Sequence, residues 1–166
     1  MGCLPPHPHV VRLLDAGQVD GTWFQALRYV DGPDLATVLG WGARLGEAMP
    51  LALATWIAAR VADGLHHVHE VRDPRSGHRL DAVHRDVSPG NVLLSRQGDV
   101  CVADLGIAHF AGSAVHTETG VLKGKAAYMS PEQASGDAVD ARSDVFAVGV
   151  VLHELLTGQR LFAAAG

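Results

Sequence analysis

From Asp144 to Leu156, apolar residues fall on almost every side of a helical period. Val145, Val148, Leu152 and Leu155 form one stripe, and Phe146, Val150 and Val151 cover much of the rest. A helix patterned this way is expected to be buried nearly all round, so it needs packing partners on several sides. Gly158, just beyond it, suits the left-handed position that ends a helix. A second long segment, Leu51 to about His69, repeats Leu53, Trp56, Ile57, Val61, Leu65 and Val68 at helical spacing, with Arg60 and Asp63 between them. That stripe is expected to face a core. The chain stops ten residues after Leu156, so the carboxy-terminal side of the domain is expected to be incomplete.

Before these helices, Val10–Leu14 reads as a short strand, Gly17–Gly21 as a turn and Trp23–Val30 as a second strand, which together predict a hairpin ended by Asp31-Gly32-Pro33. The run HPHVVRLLDAG enters its strand with no earlier element to pair with, and an edge without neighbours is a poor natural beginning for a sheet. Asp34 suits the cap of a short helix through Leu39, and Gly40–Pro50 reads as a glycine-rich connector anchored by Trp41. Glu70–Ala82 is polar and turn-rich and is expected to be exposed. Short strands at Val92–Leu94 and Val100–Ala103 flank a turn at Gln97-Gly98-Asp99, and Gly106–Gly124 reads as a mobile loop. The class is α+β.

Composition narrows the function. With 166 residues and 48% hydrophobic content, the chain has material for a real core. Net charge is −5, and no lysine/arginine block is dense enough to follow a phosphate backbone, so nucleic acid is not an expected partner. Cys3 and Cys101 lie far apart without metal-ligand spacing, which fits a reducing compartment and a cytoplasmic location. No apolar run reaches the roughly 18 residues of a spanning helix, and Pro6 stands where a myristoylation signal needs Ser or Thr. His66, His67 and His69 point in different directions on a helix and show no HExxH pattern, so they read as helix surface or packing rather than a zinc site. His7 and His9 read as structural turn residues, and Cys101 as a small buried strand residue.

The chemistry is concentrated in HRDVSPGN, His84–Asn91, which sets Asp86 five residues before Asn91, and in DLG, whose Asp104 follows Asp86 by eighteen residues. A carboxylate able to take a proton or orient a hydroxyl, joined by an amide and a second carboxylate able to hold magnesium, is the set that phosphoryl transfer needs. Taken singly, these aspartates and asparagines suit turns and caps equally well.

HRDVSPGN, DLGIA, GKAAYMSPEQ and SDVFAVGVVLHELLTG, in this order, resemble the protein kinase family, and the likeness runs from His7 to Gly158. MSPEQ and ELLTG are similar to bacterial Ser/Thr kinases of soil organisms with large genomes. The resemblance implies a protein kinase-like fold, mainly the helical carboxy-terminal lobe with a remnant of the amino-terminal sheet, truncated at both ends. Residues 1–30 would supply the last strands and hinge entry of the smaller lobe, and 31–166 a partial larger lobe.

It also implies roles. Asp86 would be the catalytic base or hydroxyl-orienting group, with Asn91 and Asp104 binding Mg2+ that bridges the phosphates of ATP. Leu27 would be the gatekeeper, the Arg28 carbonyl and Val30 amide would face adenine, Leu93 would form its floor, and Asp34 would lie near the ribose or simply cap its helix. His84 would be a core histidine stacked under Leu105 in an apolar column reaching Leu13. Arg85 beside Asp86 suggests activation through a phosphorylated loop, with Thr117 and Thr119 as acceptors and Ser113 a weaker third. Glu132 would pair with an arginine beyond Gly166, and Asp144 would anchor the backbone around His84 and Arg85. Without partners, buried carboxylates there would carry a desolvation penalty.

Three departures stand out. Ser88 occupies the position usually held by lysine, and Lys125 the position after the glycine where threonine is usual, which suggests an exchange of charge and hydroxyl. Lys125 would reach Asp86 and the transferring phosphoryl group while Ser88 supplies the hydroxyl bond, the competing reading being a Lys125 that points into solvent. Leu105 replaces the more common phenylalanine and conserves the apolar column. No GxGxxG loop or VAIK-type lysine occurs in these residues, so the phosphates would lack their amino-terminal clamp. The resemblance therefore implies a protein Ser/Thr kinase whose intact form acts on protein hydroxyls. The alternatives are a pseudokinase or docking module, and an incomplete gene product. Faces left open would call for a partner or for missing segments.

Overall fold

The computed structural model describes residues 5–105 and 126–162. Strands β1 (Leu13–Val19) and β2 (Thr22–Leu27) form an antiparallel hairpin, followed by helices α1 (Leu35–Leu45) and α2 (Leu51–His69). A second two-stranded sheet joins β3 (Val92–Leu94) to β4 (Val100–Val102), and α3 (Pro131–Ser135) and α4 (Ala141–Thr157) complete the described elements.

The hairpin turn is tighter than the expected Gly17–Gly21. Asp20 and Gly21 both have positive φ, 49° and 81°, and Val19 pairs directly with Thr22, the geometry of a two-residue loop whose twist matches its strands. Gly17 stays inside β1, where a Cβ would come within 3.0 Å of the Phe24 ring. The first strand starts at Leu13 rather than Val10. Val10 instead bridges Val102, and the Val11 amide donates to the Val102 carbonyl at 2.8 Å, so the entering chain is tied to the second sheet.

Helix α1 runs on to Leu45 rather than stopping at Leu39, taking in Gly40, Trp41 and Gly42 of the expected connector. Each glycine costs about 1 kcal/mol relative to alanine. The cost is offset by a fully buried Leu35, by Leu39 packed on the main core, and by caps at both ends. Asp34 Oδ1 accepts from the Thr37 amide at 2.7 Å, and Gly46 ends the helix at φ 69°. Ahead of it, Gly32 passes so close to β3 that a Cβ would lie 1.9 Å from the Leu94 carbonyl oxygen, a position only glycine can hold.

The main core joins Leu35 of α1, Ile57, Val61 and Leu65 of α2, Val92, Val100 and Val102 of the second sheet, and Ala147, Val150, Val151 and Leu155 of α4. Leu53 and Trp56 are 45% and 42% exposed, their expected places on the buried face being taken by Ala54, Ala58 and Gly64. Small residues let neighbours approach: a Cβ on Gly64 would sit 2.4 Å from the His9 carbonyl oxygen. Helix α4 is buried along one side rather than all round. Val145 is 66% exposed, and the core stripe is Ala147, Val150, Val151 and Leu155. No helix among the described residues is long and apolar enough to cross a membrane.

Candidate active site

The segment between α2 and β3 is fixed from beneath by one carboxylate. Asp144, in the first turn of α4 and 1% exposed, accepts the His84 amide at Oδ2 and the Arg85 amide at Oδ1, each at 2.9 Å. Its Oδ2 also lies 2.7 Å from His69 Nε2. A carboxylate only accepts, so that ring nitrogen carries the hydrogen. Asp144 is thus a buried charge with three donors rather than an unpartnered one. The bonds hold Arg85 at φ 66°, a left-handed conformation that costs a non-glycine residue about 1–3 kcal/mol.

His84, 1% exposed, uses both ring nitrogens. Its Nε2–H donates to the Ala103 carbonyl at 2.9 Å, leaving Nδ1 to accept the Asp86 amide at 3.3 Å. Ala103 is gripped from its other side as well, its amide donating to the Asn91 carbonyl at 2.8 Å. Asp104 follows directly, exposed, at φ 54°. Aspartate tolerates this region better than most residues. The sheet end bearing Asp104 and the turn bearing Asn91 are therefore locked together by main-chain bonds.

Asn91 closes a single 3-10 turn, Pro89–Asn91, in which its amide returns to the Ser88 carbonyl at 3.0 Å. Its Nδ2 donates to the Asp86 carbonyl at 2.7 Å and to Asp86 Oδ2 at 2.9 Å. Both partners are acceptors, which fixes the amide orientation. The Asn91 amide oxygen and the Asp104 carboxylate are hard oxygen donors of the kind magnesium selects, so the residues present fit that ion. Ser88 is buried at the start of the turn.

Around the expected nucleotide edge, Val30 and Leu93 pack together with Val11, Cys101 and Ala103, and Asp34 bridges Leu93. Leu27 ends β2 at 37% exposed, and the exposed Arg28 donates its amide to the Arg12 carbonyl at 2.8 Å. Asp34 spends Oδ1 on its helix cap. Leu105 packs against Val10, Val68 and Ala82, while Leu13 is half-buried on the hairpin opposite Leu27.

Lys125, Thr117, Thr119 and Ser113 lie outside the described residues. After them, Ser130 and Gln133 form a reciprocal capping box that starts α3, and Gln133 Nε2 donates to the Arg85 carbonyl at 2.8 Å. Glu132 accepts the Ser143 hydroxyl, which, with a backbone amide, holds its carboxyl below the usual range. The Tyr128 hydroxyl donates to Glu154 Oε2 at 2.5 Å, and burial first, then that carboxylate, push its pKa up.

Sequence reasoning missed His69 and Gln133 as supports of the loop. The signal for His69 was present: it lies four residues after Leu65, so the buried stripe of α2 carries it inward. Gln133 offered the capping-box spacing from Ser130 but nothing that named Arg85 as a partner. Of the other histidines, His67 stacks on His7 with ring centroids 4.6 Å apart, and His9 Nδ1 bonds the Val100 carbonyl at 2.9 Å. The Cys101 thiol, pushed up chiefly by burial, donates to the Pro8 carbonyl at 3.3 Å.

Residues 1–166 match the protein kinase domain family. The chain is 42% identical over 157 residues to the tyrosine-protein kinase MasK of Myxococcus xanthus, covering 95% of this chain and 24% of that protein. It is 37% identical over 161 residues to the serine/threonine-protein kinase PknB of Mycobacterium leprae, covering 94% and 24%. Its fold superposes on the Mycobacterium tuberculosis PknI kinase domain with a TM-score of 0.71 at 28% identity, covering 95% of this chain and 54% of that one. The chain thus spans about a quarter of the length of these curated relatives and about half of the solved kinase domain. It belongs to the protein kinase domain family.

Proposed function

We propose that this chain carries the catalytic and magnesium-binding half of a bacterial protein Ser/Thr kinase, with residues 1–30 belonging to the smaller lobe and 31–166 to the larger. The observation that carries the reading is the linkage of Asp86, Asn91 and Ala103-Asp104 into one hydrogen-bonded unit on a platform held by Asp144. Asn91 orients the Asp86 carboxylate through Oδ2. The Asp86 carboxylate takes the proton of a substrate hydroxyl as the hydroxyl oxygen attacks the γ-phosphorus of ATP. The bond from the γ-phosphorus to the bridging oxygen breaks, and its electron pair leaves with ADP. Magnesium, when bound, neutralises charge on the phosphate oxygens. Asn91 and Asp104 would hold it. Val30 and Leu93 would flank adenine, with Leu27 as gatekeeper, the main chain of Arg28 and Val30 facing the base, and the Asp34 carboxylate near the ribose. Arg85 would engage a phosphate on Thr117 or Thr119. Lys125 would complete the site from the far side while Ser88 keeps the loop's hydroxyl.

Serine or threonine as acceptor is supported by a catalytic loop, HRDVSPGN, that lacks the alanine/arginine pattern of tyrosine kinases, and by the names of relatives such as PknB. MasK is named a tyrosine kinase, so the acceptor is the point to test. The experiment is transfer from γ-labelled ATP with magnesium by the full-length protein, followed by phosphoamino-acid analysis of a protein substrate. Phosphoserine or phosphothreonine is expected, and phosphotyrosine as the sole product would overturn the acceptor assignment. Nucleotide binding without transfer under activating conditions would favour a docking module.

A further inference from the structure

We propose that Arg79 is a positioning residue for the catalytic loop, acting from the Glu70–Ala82 excursion through the end of α2 and Asp144. Its effect on rate rests on the kinase reading above, whereas its effect on the loop does not.

The last carbonyls of a helix have no backbone donor of their own. At the end of α2 the Glu70 amide meets the His66 carbonyl at 3.1 Å and the Val71 amide meets that of Val68 at 3.3 Å. The His69 carbonyl is met instead by a side chain from ten residues later, Arg79 Nη2, at 3.1 Å. The same guanidinium contacts Glu70 Oε1 at 3.0 Å and lies 4.0 Å from Asp81 Oδ1. A cation is favoured at a helix carboxy terminus, and its bond to an orphan carbonyl is charge-assisted.

The excursion is braced to deliver this group. Arg72 and Arg79 form a bridge, the Leu80 amide donates to the Val71 carbonyl at 2.9 Å, and the Asp73 amide donates to that of His78 at 2.8 Å. Asp73 Oδ1 collects the Ser76 and Arg75 amides at 2.9 and 2.7 Å, which hold its carboxyl below the usual range. An exposed segment of mostly polar residues is thus a self-supporting hairpin, with Arg79 placed on its return strand.

His69 connects the two layers. Its carbonyl faces outward to Arg79 and its ring inward to Asp144, the acceptor that fixes the His84 and Arg85 amides. If the final turn of α2 loosens, the ring no longer holds Asp144. The left-handed Arg85 then loses part of its anchor, and Asp86 follows it in the chain.

Amide hydrogen exchange of the full-length protein tests this together with steady-state kinetics, comparing Arg79→Ala, Arg79→Lys and Arg75→Ala, the last on the same arm. In Arg79→Ala the His84 and Arg85 amides are expected to exchange about 10-fold faster, as for loss of one charge-assisted bond. Val150 and Val151 should not change. Arg79→Lys should recover part of the protection, and Arg75→Ala should match the wild type. Phosphate transfer in Arg79→Ala should fall about 10-fold in kcat with KM for ATP within about twofold. Unchanged exchange at His84 and Arg85 would overturn the inference, and so would an equal acceleration throughout α4, which would make the arm a general brace. A wild type that transfers no phosphate would refute the kinase reading, while the exchange result would still decide the role of Arg79.

Discussion

Asn91 gives both hydrogens of its side-chain nitrogen to Asp86, one to the main-chain carbonyl at 2.7 Å and one to Oδ2 at 2.9 Å. The pair fixes two things together: which way the Asp86 carboxylate faces, and which end of the Asn91 amide stays available to a cation.

Asn91→Asp replaces the two donors by an anion facing two acceptors. Transfer is expected to fall by about 10- to 100-fold, the scale seen when groups supporting a metal site are lost, as the like charges turn the Asp86 carboxylate away. An undiminished rate at ordinary magnesium would show that the amide is not a ligand or an orienting group.

Asp144→Ala removes the acceptor of three donors, two of them the main-chain amides of His84 and Arg85. A buried donor left unsatisfied costs about 1–3 kcal/mol, so urea denaturation should show a loss of about 3 kcal/mol or more. Loss below about 1 kcal/mol would mean that the loop finds other partners.

Sequence foretold the elements whose signals are local and missed those set by packing. The α2 boundaries were legible because a long periodic segment ends in turn-rich sequence, and the joining of Asp86, Asn91 and the Ala103-Asp104 turn because HRDVSPGN and DLG flank short strands that pair. The extent of α1 was not, because Gly40 and Gly42 read as breakers until Leu35 is seen fully buried and Gly46 supplies the stop. Val145 looked like core from its apolarity, yet α4 turns Ala147 inward in its place, a small residue that carries little hydropathic signal. Asp144 was legible as an anchor through the resemblance, whereas its third donor, His69, lies 75 residues away and required the fold.

Glu132 gives a pH test with a defined sign. Its carboxyl is held below the ordinary value of 4.5 first by the Ser143 hydroxyl. A depressed folded pKa contributes stability that is present above the unfolded value and lost as pH falls through the folded one. The stability difference between wild type and Ser143→Ala should be full at neutral pH and shrink below about pH 4.5. A difference that stays constant down to pH 3 would mean that the hydroxyl acts by packing.

Lys125→Ala separates the proposed charge exchange from a solvent-facing lysine. The exchange predicts a large fall in kcat with KM for ATP little changed. An unchanged rate would remove Lys125 from the site.

The most direct measurement is phosphate transfer from γ-labelled ATP with magnesium by the full-length protein, wild type against Asp86→Asn, with nucleotide affinity followed in parallel. Loss of an acting general base predicts a fall of about 100- to 10,000-fold in kcat with ATP binding retained. Equal transfer by the two proteins would contradict the assignment of Asp86 and the account built on it.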